Sequence, residues 1–120
     1  MSIIEEYEKL KSKISERKSD FDDFVEFLEN ETTWLTSPAS IKYHLNVKQG
    51  LLKHSVGVTK TLLELCTLLA PHLREETCVI AALFHDVGKV GMPHTPRYMP
   101  RGDKFSYNKN QVEMQIAARS

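Results

Sequence analysis

The strongest constraint on the fold is a pair of apolar segments that are joined by a very short connection. Residues 51–70 are rich in Leu and are followed by Pro71, which cannot continue a helix. A second helix is predicted over residues 74–86; it is strongly apolar over residues 79–84, and Gly88 is placed to end it. Because only a few residues separate the two predicted helices, they must lie antiparallel. The start of the first helix therefore meets the end of the second.

This hairpin brings together polar side chains that are distant in the sequence. His54 lies about 17 residues before the turn and His85 about 13 residues after it. At about 1.5 Å per residue, the two differ in height by about one helical turn. Asp86 follows His85, and both come after the apolar run 79–84. Burying an imidazole and a carboxylate is costly unless a partner compensates them, and a divalent metal would do so.

The hairpin therefore predicts a metal site formed by His54, His85 and Asp86. Imidazole and carboxylate donors suit Mn, Fe, Ni or Zn, and a carboxylate can bridge two ions where two bind. Three protein ligands would leave positions open for water and a phosphoryl oxygen. The alternative is a plain helical bundle, because a single His on an apolar helix is more often a hydrogen-bonded core residue. Two converging histidines, one of them beside an Asp, favour the metal site.

The composition is that of an ordinary globular protein. At 120 residues the chain has room for one domain, and its hydrophobic share of 41% and charged share of 27% are typical of soluble proteins. No apolar run reaches the roughly 18 to 20 residues that cross a bilayer. Residues 1–18 also lack the apolar stretch of a signal peptide. We therefore expect a cytoplasmic protein without a membrane partner, in which Cys66 and Cys78 are buried, reduced thiols.

The rest of the chain predicts further helices. Residues 3–15 and 20–30 have amphipathic patterns, with Asp20 as the N-cap of the second helix. Trp34 is expected to fold back onto the core from a connector, and residues 39–47 to form a short helix or turn. The second helix is expected to bury one face, formed by Phe21, Phe24, Val25 and Leu28.

The C-terminal part is predicted to be a loop followed by one more helix. Four Pro and Gly residues between Pro93 and Gly102 favour a loop after Gly91. Asn108 and Gln111 resemble a capping box, so a helix is expected to begin there and to be cut off at Ser120. The sequence is therefore expected to be an incomplete domain.

The charges are unevenly distributed although the net charge is zero. Residues 1–36 carry five Lys and Arg against ten Asp and Glu, whereas residues 87–120 carry six against two. A negatively charged substrate would be attracted to the cationic segment that follows the proposed site. A basic, solvated loop explains the same pattern equally well.

Two motifs carry a resemblance to a known family. The segments GLLKHS (residues 50–55) and ALFHDVGK (residues 82–89) occur in an order and at a spacing that resemble the HD-domain superfamily of metal-dependent phosphohydrolases. The resemblance covers residues 39–120 and implies an all-α, HD-domain-like helical bundle. It implies that His54 is the first metal ligand and that His85 and Asp86 follow it, holding one or two divalent ions (Mn, Fe, Ni, Zn or Mg). We expect an N-terminal helical segment over residues 1–36 and an HD-type core over residues 37–120.

The sequence departs from the family pattern at its last ligand. The family places a further Asp on a later helix, whereas the one Asp that follows Asp86 is Asp103, in a loop too soon after the pair. The missing Asp argues against the activity of this chain more than against its resemblance to the family. His94 is expected to be an exposed loop residue rather than an extra ligand, and His72 to lie at the surface near the far turn.

The resemblance implies hydrolysis of a phosphate ester, with Asp86 and Lys89 as catalytic residues. Lys89 would contact the substrate phosphate and offset its developing charge; a solvated Lys near a helix C-terminus explains it equally well. His44, Arg97 and Arg101 are further candidates for substrate contacts. The expected substrate is a phosphate-containing small molecule, such as a nucleotide or an oligonucleotide.

A different class of function is a non-catalytic HD-fold module that senses a phosphorylated ligand. The missing last Asp favours this alternative, and the intact His54, His85 and Asp86 favour the enzyme. An incomplete domain is also expected to expose apolar surface and to associate as a homo-oligomer.

Overall fold

The computed structural model describes residues 2–39, 46–92, 95–96, 98–101 and 104–107. The expected mainly helical fold is confirmed. Among the described helices, none combines the length and the apolar character that crossing a bilayer requires. The helices are α1 (Ile3–Lys11), α2 (Lys18–Glu31), α3 (Gly50–Leu69) and α4 (Glu75–Leu83), followed by a short 3₁₀ helix, Val87–Val90.

One apolar core joins the N-terminal helices to the α3–α4 hairpin. Trp34 is completely buried, and its indole Nε1 donates a hydrogen bond to the Tyr7 hydroxyl at 3.0 Å. This bond gives two buried polar atoms a partner in an apolar interior. The expected position of Trp34 on the core is confirmed. Residues on both sides of position 36 contribute to this core, and the domain boundary predicted there stays a prediction.

The start of α2 differs from the prediction. The helix begins at Lys18, so Asp20 lies in its first turn, and the N-cap is Arg17 without a side-chain capping bond. Instead, the buried Glu76 side chain on α4 accepts hydrogen bonds from the backbone N–H groups of Arg17 at 2.8 Å and Ser15 at 3.3 Å. A carboxylate about 60 residues away in the sequence therefore holds the segment that leads into α2, where a local cap was predicted.

The core face of α2 also differs from the prediction, at one position. Phe21, Val25 and Leu28 are buried as predicted, whereas Phe24 is 40% exposed. The Phe24 ring contacts the Phe84 ring edge to face, with centroids 5.1 Å apart. Phe24 therefore lines a surface beside the end of α4 and not the interior.

The start of α3 is held by the connector that precedes it. The backbone N–H of Gln49 donates to the carbonyl of Thr36 at 3.1 Å, and that of Leu51 to the carbonyl of Ser37 at 2.9 Å. Gln49 has a φ of 65°, a conformation that costs a non-glycine residue roughly 1 to 2 kcal/mol. These contacts fix where α3 begins. Most of the helix or turn predicted over residues 39–47 lies outside the described residues.

The segment after the 3₁₀ helix was predicted to be a loop, and it forms two short antiparallel ribbons. Proline can occupy these strands although it lacks a backbone N–H, because every strand of a two-stranded ribbon is an edge strand. The Asn46 side-chain amide contacts the backbone of Phe105, accepting from its N–H at 3.0 Å, which holds the second ribbon near the start of α3. The helix predicted from Asn108 lies outside the described residues. The paired strands are β1 (Gly91–Met92) with β2 (Thr95–Pro96) and β3 (Tyr98–Arg101) with β4 (Lys104–Tyr107).

Candidate metal centre

His54 is positioned by the buried face of α3. It lies in the second turn of the helix, where Leu51, Leu52 and Val56 are almost completely buried in the core. Because these neighbours fix the rotation of the helix about its axis, the His54 side chain is directed to the edge of the hairpin. Its side chain is 23% exposed, so its imidazole is accessible from solvent.

His85 lies in the turn that follows α4. The helix ends at Leu83, three residues earlier than predicted, because Phe84 leaves helical geometry and His85 bonds back to the helix. The His85 Nδ1 atom is 2.7 Å from the carbonyl oxygen of Ala82. A carbonyl can only accept, so Nδ1 carries the proton and Nε2 presents a lone pair. This hydrogen bond orients the ring in the manner of a metal-ligating histidine.

The three predicted ligands converge on one point. The Nε2 atoms of His54 and His85 are 3.2 Å apart. The Oδ2 atom of Asp86 lies 3.3 Å from Nε2 of His54 and 3.2 Å from Nε2 of His85. The donor atoms therefore form a nearly equilateral triangle, and the predicted convergence across the hairpin is confirmed.

The size of this triangle fits a transition metal. Such an ion binds imidazole nitrogen and carboxylate oxygen at about 2.0 to 2.2 Å, and at tetrahedral or octahedral angles neighbouring donors are then about 2.8 to 3.6 Å apart. All three separations fall in that range. Two neutral imidazoles and one carboxylate are a donor set that suits Zn, Mn, Fe or Ni. Because all three donors would lie on one side of a bound ion, its remaining coordination positions would stay open.

Lys89 lies next to the triangle but its ammonium group is already bound. Its Nζ atom donates to the backbone carbonyl of Ala39 at 2.7 Å and lies 3.6 Å from Oδ2 of Asp86. Ala39 is completely buried, and the Lys89 side chain is 18% exposed. Lys89 therefore ties the connector before α3 to the metal centre. Its contact with a substrate phosphate stays a prediction.

The described part of the chain does not test the other predicted site residues. His44, Arg97, His94 and Asp103 lie outside the described residues, so their roles stay predictions. Arg101 is the last residue of β3, and its predicted substrate contact is likewise untested. His72 lies in the turn between α3 and α4 and is exposed, as expected.

The sequence did not indicate the groups that hold the ligands in place. The carbonyl of Ala82 orients His85, and the carbonyl of Ala39 binds Lys89. Every residue has a carbonyl, so nothing in the sequence marks these two. The spacing of three residues between Ala82 and His85 was the one available signal, because it matches a side chain folding back onto the last turn of a helix.

Comparison with known proteins agrees with this geometry. The family model described as HD domain matches residues 51–117, which include His54, His85 and Asp86. Searches of the curated proteins and of the solved structures find no significant match. The matched region covers more than half of the 120 residues and contains both the hairpin and the triangle of donors. The chain therefore belongs to the HD domain family.

Proposed function

We propose that this protein is a metal-dependent phosphohydrolase that acts on a nucleotide or another nucleic-acid-related phosphate ester. The single observation that carries the proposal is the triangle of His54, His85 and Asp86, whose donor atoms all lie within 4.8 Å of one another. Family membership supports the reaction class, and the cationic residues after the site support a phosphate substrate.

The residues of the centre have distinct roles in this proposal. The imidazoles of His54 and His85 would hold a divalent ion, with the His85 ring oriented by the Ala82 carbonyl. Asp86 would contribute the third donor and one negative charge. When bound, the ion supplies Lewis acidity toward water and toward a phosphoryl oxygen. Lys89 would add positive charge beside the phosphate, since its ammonium has further N–H donors besides the one that binds Ala39.

Several predicted contacts belong to the same proposal. His44, Arg97 and Arg101 would bind the substrate phosphate or the group attached to it. Self-association is proposed because large apolar side chains at the end of α3 are exposed; Leu68 is 78% and Leu69 is 79% exposed.

Metal content is the first test. It is measured by elemental analysis of the purified protein after expression in medium supplied with manganese. We expect a stoichiometric divalent metal in the wild type, loss of that metal in His85→Ala, and retention in His72→Ala. His72 is the matched control, because it is an exposed His of the same hairpin at the end opposite to the metal centre. Metal retained by His85→Ala, or absent from the wild type, would overturn the proposal.

Hydrolysis is the second test. Bis(p-nitrophenyl) phosphate with added manganese should be hydrolysed by the wild type and by His72→Ala. Asp86→Asn should lose at least about a hundredfold in rate, because it removes a charged donor from the centre. A protein that holds stoichiometric metal at His85 and hydrolyses neither this ester nor a nucleotide would instead be the non-catalytic module that senses a phosphorylated ligand.

A further inference from the structure

A cavity of about 540 Å³ opens beside the metal centre, between α2 and the end of α4. Its volume lies within the range of small-molecule sites, roughly 300 to 1,000 Å³, and is far larger than a phosphate group requires. Its walls are mainly apolar. The residues that matter here are Arg17, Asp20, Phe21, Phe24, Phe84 and His85.

Aromatic rings form the largest part of the wall. The Phe84 ring contacts Phe24 edge to face at 5.1 Å and Phe21 at 5.8 Å between centroids. Phe24 is 40% exposed although its chain neighbours on the same face are buried. Its ring is therefore accessible from the cavity. Paired aromatic rings at the wall of a cavity suit a planar ring that packs against them.

The rim of the cavity carries one hydrogen-bond donor group and one acceptor group. The Arg17 guanidinium donates to the Thr77 hydroxyl at 2.9 Å, and its backbone N–H is bound by Glu76 at 2.8 Å. These contacts fix Arg17 at the rim while its guanidinium has further N–H groups. Asp20 lines the same cavity, and its carboxylate can only accept hydrogen bonds. A heteroaromatic base, which has donors and acceptors along its edge, matches this pair.

His85 connects this cavity to the metal centre. His85 is one of the residues that line the cavity, and its Nε2 atom lies 3.2 Å from Oδ2 of Asp86. A phosphate held at the triangle would therefore have the group that it esterifies next to the aromatic wall. We propose that the cavity between α2 and α4 binds the nucleobase of the substrate, with the base against Phe24 and Phe84 and its edge toward Arg17 and Asp20. This proposal rests on the proposed function only for the position of the phosphate.

The test compares two Phe residues of α2 that differ in their relation to the cavity. Phe24 lines it, whereas Phe27, which is 42% exposed on the same helix, is not among its lining residues. Adenosine, which has no phosphate, would be titrated into wild type, Phe24→Ala, Phe24→Tyr and Phe27→Ala, with binding followed by calorimetry. We expect Phe24→Ala to weaken adenosine binding by about tenfold or more, the usual effect of removing a stacking ring. Phe24→Tyr and Phe27→Ala should bind as the wild type does.

Two further measurements separate this proposal from the proposed function. Ribose 5-phosphate should bind equally to the wild type and to Phe24→Ala, because it lacks a base. The KM for AMP should rise in Phe24→Ala and not in Phe27→Ala. Hydrolysis of AMP with a KM that is insensitive to Phe24 would overturn the base site and leave the phosphohydrolase standing. Adenosine binding that depends on Phe24, without hydrolysis of any phosphate ester, would overturn the phosphohydrolase and leave the base site standing. An equal loss of adenosine affinity in Phe24→Ala and Phe27→Ala would overturn the base site.

Discussion

His85 uses its two ring nitrogens for different purposes. Nδ1 is hydrogen-bonded to the carbonyl of Ala82, and Nε2 points to the triangle with His54 and Asp86. The sequence predicted which three residues converge, because their spacing follows from helix geometry. It did not predict that His85 and Asp86 lie beyond the end of α4, because the last turn is set by a side chain that bonds back to the backbone.

Lys89 is predicted to stabilise the connector before α3 through its bond to the buried Ala39 carbonyl. Lys89→Met keeps the apolar part of the side chain and removes the charged donor. We expect the free energy of unfolding to fall by about 1 to 2 kcal/mol, as for the loss of a charge-assisted hydrogen bond to a buried group. Urea denaturation measures this. Lys53→Met, at an exposed position of α3, is the control and should change stability by less than about 0.5 kcal/mol. Equal stability of the two variants would contradict the prediction.

The α3–α4 hairpin is closed by different groups near its two ends. The metal centre lies at the start of α3 and the end of α4, and the thiols of Cys66 and Cys78 meet near the turn, with Sγ atoms 3.0 Å apart. Both cysteines are free, and Cys78 is buried as predicted, whereas Cys66 is only partly buried; their reduced state stays a prediction. The spacing of twelve residues did not by itself predict contact, because contact depends on how the turn offsets the two helices.

Cys66 should be alkylated faster than Cys78. The hydrogen bond to Cys66 and burial both raise the pKa of the Cys78 thiol, and the thiolate is the reactive form. Each unit by which the pKa of a thiol is raised lowers its thiolate fraction at about pH 8 by about tenfold. Iodoacetamide labelling followed by peptide mass spectrometry would measure the two rates. The preference for Cys66 should narrow as the pH rises through the pKa of Cys78, and it should vanish in denaturant. Faster labelling of Cys78 in the folded protein would be inconsistent with this arrangement.

At the scale of the whole molecule, a single core couples the N-terminal helices to the metal centre. Trp34 joins Tyr7 of α1 to Phe84, which directly precedes His85. The buried Glu76 side chain links the start of α4 to the segment before α2. The position of the ligands therefore depends on residues well outside the two motifs.

Metal binding is predicted to stabilise the whole fold. An ion held by His54 of α3 and by His85 and Asp86 after α4 binds only the folded state. At a hundredfold excess of the ion over its Kd, this adds about 2.7 kcal/mol to the free energy of unfolding. For a domain of this size the corresponding rise in Tm is on the order of 10 °C. Thermal denaturation with and without manganese, followed by circular dichroism, measures the shift. His85→Ala should abolish the shift and His72→Ala should keep it. A shift that survives in His85→Ala would place the ion elsewhere.

The sequence by itself determined the helical hairpin, the convergence of His54, His85 and Asp86, and the burial of Trp34. Each of these follows from local periodicity, from a helix stop or from a short connection, and such signals are complete within a few tens of residues. Only the tertiary structure decided that Glu76 holds the segment before α2, that Lys89 binds Ala39 and that Phe24 lines a cavity beside His85. These features depend on contacts between distant segments, which form according to how the helices pack, and no local pattern encodes that packing.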